Sequence, residues 1–386
     1  MTVAMGAGGA VAAAGFYFAR PLADAIGQDI GLAPAMAGLI VTVGQLGYCS
    51  GLLAIAPLCD LVENRKLLLF TLAAATLSLV AAATARSAFF FLLAMFAIGA
   101  ASVAAQMLVS FASFLSRPAT RGQVVGDVTG TLLLGILLAW PVACVAASYA
   151  GWRTLFALNA AVVVAICIVL ARKLPRRTPD PVHGYTALIA SLWQLLRSTP
   201  ELWRHATIQA LLYGAYSLFW TTVPLELSVD YALGPLGIAL FGLTGLSGAL
   251  AAPLAGRIGD RGLSRFVGTT GAMTTVGAFL LVITAGRLWM FVLAAICLDA
   301  GVQANFVISQ RAILALRPAA ASRLNSLFIA ILFLGGAIGS AIAIPLHMLG
   351  RPELGGVGLV LATAALALWQ SPGQISRIWE FGQEIR

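Results

Sequence analysis

Apolar residues in this chain come in long stretches of about twenty, parted by short polar gaps, without the alternation of a half-buried strand or the single apolar stripe of a surface helix. At 1.5 Å per helical residue such a stretch matches the hydrocarbon thickness of a bilayer. One set lies at 3–26, 36–58, 67–85, 88–114, 123–148 and 154–171, and a second at 206–227, 236–256, 266–285, 288–310, 325–347 and 353–370. Between them runs the longest polar segment, with Lys173, Arg176, Arg177, Pro179, Asp180 and Pro181, followed by a predicted amphipathic helix near Leu188–Leu196. The pattern predicts an all-α membrane protein of about twelve transmembrane helices. Its parts are a six-helix bundle over 1–172, a cytoplasmic linker over 173–205, a second bundle over 206–370 and a cytoplasmic tail over 371–386.

Composition agrees. Of 386 residues 60% are hydrophobic and 10% charged, against roughly 25% charged in soluble domains, so a water-facing globular surface is excluded. The net charge of +9 raises the question of a nucleic-acid partner. The basic residues form no stripe with interleaved aromatics, however, so none is expected. They mark topology instead: one set of alternate gaps holds only Arg86, Arg153, Arg287 and Arg351, while the other carries most of the remaining Lys and Arg. That asymmetry predicts a membrane protein with both termini and the central linker in the cytoplasm. The first apolar stretch has no basic start and reads as a retained helix rather than a cleaved signal. Cys49, Cys59, Cys144, Cys167 and Cys297 are scattered, so neither disulfide nor metal site is expected.

The halves repeat. Asp60 and Asp260, Arg117-Pro118 and Arg317-Pro318, and Gly135 and Gly335 are each 200 residues apart, and Gly151 and Gly350 are 199 apart. Parallel duplication of a six-helix unit implies two bundles facing each other across a cavity.

After the second span comes Ala56-Pro57-Leu58-Cys59-Asp60-Leu61-Val62-Glu63-Asn64-Arg65-Lys66, and after the eighth Gly256-Arg257-Ile258-Gly259-Asp260-Arg261-Gly262. Both resemble the loop signature Gly-x-Leu-x-Asp-Arg-x-Gly-Arg-Arg of the major facilitator superfamily. The first copy lacks the glycines and the middle Arg, whereas the second keeps Gly256, Asp260, Arg261 and Gly262. An acid at a helix end accepts hydrogen bonds from a neighbouring helix, and flanking Arg residues clamp the cytoplasmic side, so Asp60, Arg65, Asp260 and Arg261 are the expected gate. Further segments are similar to the arabinose-efflux-permease-like bacterial branch: Ala37–Tyr48, Arg121-Gly122-Gln123-Val124-Val125-Gly126, Gly151-Trp152-Arg153, Ser217–Thr222 and Arg323-Leu324-Asn325. The resemblance implies the two-bundle fold and favours export. The Gly-x-x-x-Gly-Pro-x-x-Gly-Gly run common in proton-driven antiporters of that superfamily is replaced here by differently spaced Gly126, Gly130, Gly135 and Pro141.

Charges inside spans are costly and therefore candidates for function. Asp299 sits at the middle of the tenth span, where an acid can take and release a proton, and is the proton-coupling candidate. Its alternative role is to hold helices in register. Arg20 and Asp24 in the first span are spaced to pair on one face, with an anion-steering or gating role for Arg20 as the alternative. Asp127 is expected to pair with Arg121, and Glu226 reads equally as a rim residue or a ligand. The neutral cavity candidates are Tyr17, Gln45, Tyr48, Gln106, Ser110, Tyr213, Trp220, Gln303 and Asn305, each alternatively a helix–helix hydrogen bond. Gly335-Gly336-Ala337-Ile338-Gly339-Ser340 predicts close helix approach.

No phosphate-binding loop is present and no cofactor is expected. The expected function is proton-coupled export of a small sugar-like or amphiphilic molecule by a monomeric secondary transporter, not an enzyme. The alternatives are an importer or uniporter on the same fold and a non-transporting membrane scaffold or sensor.

Overall fold

The computed structural model of the protein describes residues 2–116, 121–176, 184–317 and 320–371. Fifteen α-helices follow in order: α1 (Thr2–Phe18), α2 (Ala23–Asp29), α3 (Gly38–Ala54), α4 (Asn64–Thr84), α5 (Ala88–Ala101), α6 (Ala104–Leu115), α7 (Arg121–Lys173), α8 (Tyr185–Ser198), α9 (Pro200–Val229), α10 (Pro235–Phe241), α11 (Leu246–Ile258), α12 (Ser264–Thr284), α13 (Leu288–Leu316), α14 (Ala321–Leu349) and α15 (Arg351–Gln370). Among the described residues no strand interrupts them. Eight stretches are long and apolar enough to cross a membrane, and two of these, Gly126–Lys173 and Pro235–Thr284, run for 48 and 50 residues. Counting each of those two as a double crossing and adding α1 and α9 gives the twelve spans read from the sequence. The predicted helix near Leu188–Leu196 is α8.

The two halves pack alike. In the first, α1 lies along α7 and α4 along α7; in the second, α9 lies along α14 and α12 along α15. We call the face where α1 begins the near face and its opposite the far face. At the far face α7 turns back at Gly151 (φ 77°) and α14 gives way to α15 at Gly350 (φ 138°), a left-handed backbone that favours glycine at both repeat positions.

Just after each glycine, two residues on in the first half and one in the second, an arginine closes the turn in the same manner. Arg153 pairs with Asp29 and donates to the Ala85 carbonyl at 3.0 Å. Arg351 pairs with Asp230 and with Glu226 (2.7 Å) and donates to the Ala285 carbonyl. Ala85 and Ala285 again stand 200 apart. Glu226 also faces His347 Nδ1 at 3.1 Å, so this buried acid is a rim residue that ties α9, α14 and α15 together.

The glycine run in α14 permits the close approach expected of it. A Cβ on Gly335 would strike the Ala210 carbonyl, and one on Gly339 the Gly214 carbonyl, both on α9. Of the remaining expectations, the Arg117-Pro118 pair with Pro318, the Arg121 side chain offered to Asp127 and the tail after Ser371 fall outside the described residues.

Candidate functional site

Three spans are broken: the first between α1 and α2, the fourth between α5 and α6, and the eighth between α10 and α11. The first span stops as α1 at Phe18, turns through Arg20 and Pro21 and resumes as α2, because proline supplies no N–H to the helical ladder. The eighth span passes from α10 to α11 through a tight turn at Gly242–Gly245. Gly245 and Gly248 lie against Asp299 of α13. Eleven residues from the start of α13, Asp299 is about 16 Å from the far face, near mid-depth.

Asp299 is buried and accepts a hydrogen bond from Trp220 Nε1 at 3.2 Å, with the Tyr216 hydroxyl as a second hydrogen-bonding neighbour. Arg20 belongs to the other bundle and is equally buried; its guanidinium lies over the Tyr216 ring, 5.7 Å from the centroid, beside Tyr213. The expected ion pair of Arg20 with Asp24 is not formed. The break at Pro21 destroys the i,i+4 geometry that the pair needs, and Asp24 instead accepts from Gln28 at 2.8 Å. Arg20 Nη2 has no hydrogen-bond partner among the described residues.

An aromatic girdle surrounds these two charges and crosses from bundle to bundle. Tyr48 of α3 packs on Phe333 of α14 (4.7 Å), Phe333 on Tyr213 (5.0 Å), Tyr213 stacks on Tyr216 (5.3 Å), Tyr216 meets Trp220 (6.1 Å), and Trp220 meets Trp140 of α7 edge-on (5.0 Å). Tyr17 adjoins Phe16, which stacks on Tyr48. The structure thus unites Tyr17, Arg20, Tyr48, Tyr213, Trp220 and Asp299 of the sequence candidates. Gln106 reaches the group through the Tyr48 hydroxyl at 3.4 Å.

The other candidates lie elsewhere. Gln45 is a seam residue, donating to Ser217 at 3.0 Å and accepting from Ser340. Asn305 is spent inside the second bundle, donating to the Gly268 carbonyl at 3.1 Å and accepting from Ser309. Its position on α13 turns it toward α12 and away from the girdle. Ser110 is exposed and Gln303 half-buried. Sequence reasoning missed Tyr216, Trp140 and Phe333. Tyr213, Tyr216 and Trp220 follow at i, i+3 and i+7, one helix face, and that spacing was the available signal.

The seam between the bundles is held by neutral groups. Thr42 and Ser340 share a hydroxyl hydrogen bond of 2.8 Å, Cys49 Sγ donates to the Ala330 carbonyl and Trp140 Nε1 donates to the Ile238 carbonyl at 3.0 Å. These contacts run from the far face toward mid-depth. At the near face the expected gate residues work within bundles rather than across them: Asp260 pairs with Arg311, Arg65 donates to the Ala171 carbonyl, and Asp60 and Arg261 are exposed. The linker helix α8 bridges the two halves there, Tyr185 donating to the Ala54 carbonyl (3.2 Å) and Ser191 accepting from Arg323 (2.8 Å).

Two bundles of repeated helices with a charged, aromatic-walled site at broken spans define a multi-pass membrane protein of the transporter class. The chain belongs to the Major Facilitator Superfamily, whose family model matches residues 5–340. It is similar to YgaY of Escherichia coli O157:H7, named as an uncharacterized transporter, at 34% identity over 378 residues covering 95% of this chain and 92% of that one. It is also similar to SCO4007 of Streptomyces coelicolor, named as a transporter, at 32% identity over 93% of this chain and 84% of that one. Among solved structures, the inward-open xylose transporter XylE from Escherichia coli matches with a TM-score of 0.71 at 14% identity, covering 96% of this chain and 95% of that one, a likeness of fold alone.

Proposed function

We propose that this protein is a secondary active transporter of the bacterial inner membrane that exports a small amphiphilic or sugar-like molecule in exchange for protons, by rocking its bundles about the girdle. The observation that carries the reading is Asp299: a buried acid at mid-depth, bonded to Trp220, whose ring also meets Trp140 of the opposite bundle. A proton taken or released there changes the charge at the seam, which is the place where a change of access must be felt. The resemblance to efflux-permease-like proteins supports export. The near face is the cytoplasmic one in this reading, and the exposed Ser110 with the sealed far half of the seam supports access from that side.

The test is substrate-dependent proton movement in proteoliposomes of known orientation. Asp299→Asn is expected to abolish it while leaving the folded protein intact. Unchanged proton movement in that variant overturns the assignment of Asp299, and accumulation inside right-side-out vesicles overturns export.

A further inference from the structure

Resting on the reading of the girdle as the transport site, we infer that the solute is a small organic monoanion whose carboxylate docks on Arg20 while its apolar body lies against the tyrosine faces. Arg20 is only 5% exposed, yet Nη2 has no acceptor among the described residues. A buried guanidinium with an idle donor is destabilising unless something supplies the missing acceptor. No group among the described residues does so. Asp24 is engaged by Gln28, Asp299 is engaged by Trp220, and no ion pair joins Arg20 to either. Tyr213 accepts one hydrogen bond from the guanidinium, Tyr17 and Tyr216 are its other neutral neighbours, and Nη2 is the donor left over.

The remaining chemistry defines the guest. A guanidinium presents parallel N–H donors that match a planar carboxylate in a bidentate pair, which a neutral hydroxyl cannot equal. One guanidinium balances one added negative charge, and a second would be opposed by the acid at Asp299, so a monoanion fits better than a dianion. Tyr17, Tyr213 and Tyr216 are themselves only half-buried, so the rings that cover Arg20 are also the wall a solute meets first. Flat apolar faces favour an aromatic or similarly flat body over a sugar. Arg20 also sits at the break between α1 and α2, outside both helices.

The experiment is a thermal-shift titration of the purified full chain with benzoate, phenylacetate and indole-3-acetate, against the neutral amides of the same bodies and against methyl phosphate. Wild type is expected to be stabilised by the carboxylates and not by the amides, since binding to the folded state raises its stability. Arg20→Gln is expected to weaken carboxylate binding about tenfold or more and Arg20→Lys to recover part of it. Equal shifts by carboxylates and amides in wild type overturn the inference, as does undiminished carboxylate binding in Arg20→Gln. Absence of any carboxylate shift up to about 10 mM does the same, and a response to methyl phosphate alone removes the carboxylate. Should Arg20→Gln not fold, the wild-type comparison of acid with amide decides alone. Carboxylate binding without solute-driven flux in proteoliposomes sinks the transport reading and spares the anion site.

Discussion

Trp220 donates to Asp299 across 3.2 Å, and the same indole packs edge-on against Trp140 of the opposite bundle, 5.0 Å between ring centroids. The acid is therefore one side chain away from the seam. Trp220→Phe keeps the ring contact and removes the donor. Solute-dependent proton flux, read with a pH-sensitive dye in proteoliposomes, is expected to fall about tenfold, the weight of one hydrogen bond to a charged group. Flux equal to wild type would show that Asp299 acts without this link.

The two far-face arginines make matching bonds, but their exposure differs. Glu226 is 1% exposed and Arg351 19%, against 47% for Asp29 and 39% for Arg153. Removing one partner of a buried pair costs about 3–5 kcal/mol, whereas an exposed pair contributes about 0–1 kcal/mol. Thermal unfolding in detergent is expected to show a large loss for Arg351→Gln and a small one for Arg153→Gln; equal losses contradict this ranking.

Thr42 and Ser340 face each other across the seam with their hydroxyl oxygens 2.8 Å apart. A Thr42→Cys, Ser340→Cys pair is expected to cross-link on mild oxidation and to stop transport, with recovery on reduction. Cross-linking that leaves transport unchanged means the bundles do not part at this point.

Gly339 has the Gly214 carbonyl where a Cβ would go, while Gly130 has open space there. Gly339→Ala is expected to lower the unfolding temperature by pushing α14 off α9. Gly130→Ala is expected to be neutral or to add about 0.5–1 kcal/mol from the gain in helix propensity. The two melting temperatures, measured side by side, check the contrast.

The sequence carried the spans, their pairing into halves and even the far-face turns, because hydrocarbon thickness and positive-φ glycines leave direct marks at Gly151 and Gly350. It misplaced side chains wherever an outcome turned on helix rotation or on a break. Arg20 and Asp24 obey i,i+4 spacing, yet Pro21 ends the helix between them. Asn305 and Asp299 are six residues apart on α13, and nothing in their spacing says which faces α12 and which faces the girdle. Asp260 carries the family signature, but its partner Arg311 comes from α13, a pairing that no local motif encodes.

Every ion pair among the described residues lies inside one bundle, and apart from Arg20 against Tyr213 and Tyr216 the bonds that cross the seam are hydroxyl, amide, thiol and indole contacts. Such bonds are worth about 0.5–1.5 kcal/mol each, and both partners can pass to water or to a new neighbour without stranding a charge. The halves are thus joined by a releasable fastening. On the proposed rocking of the halves, the cost of parting them is spread over many small steps, and neither Arg20 nor Asp299 is locked in an ion pair among the described residues.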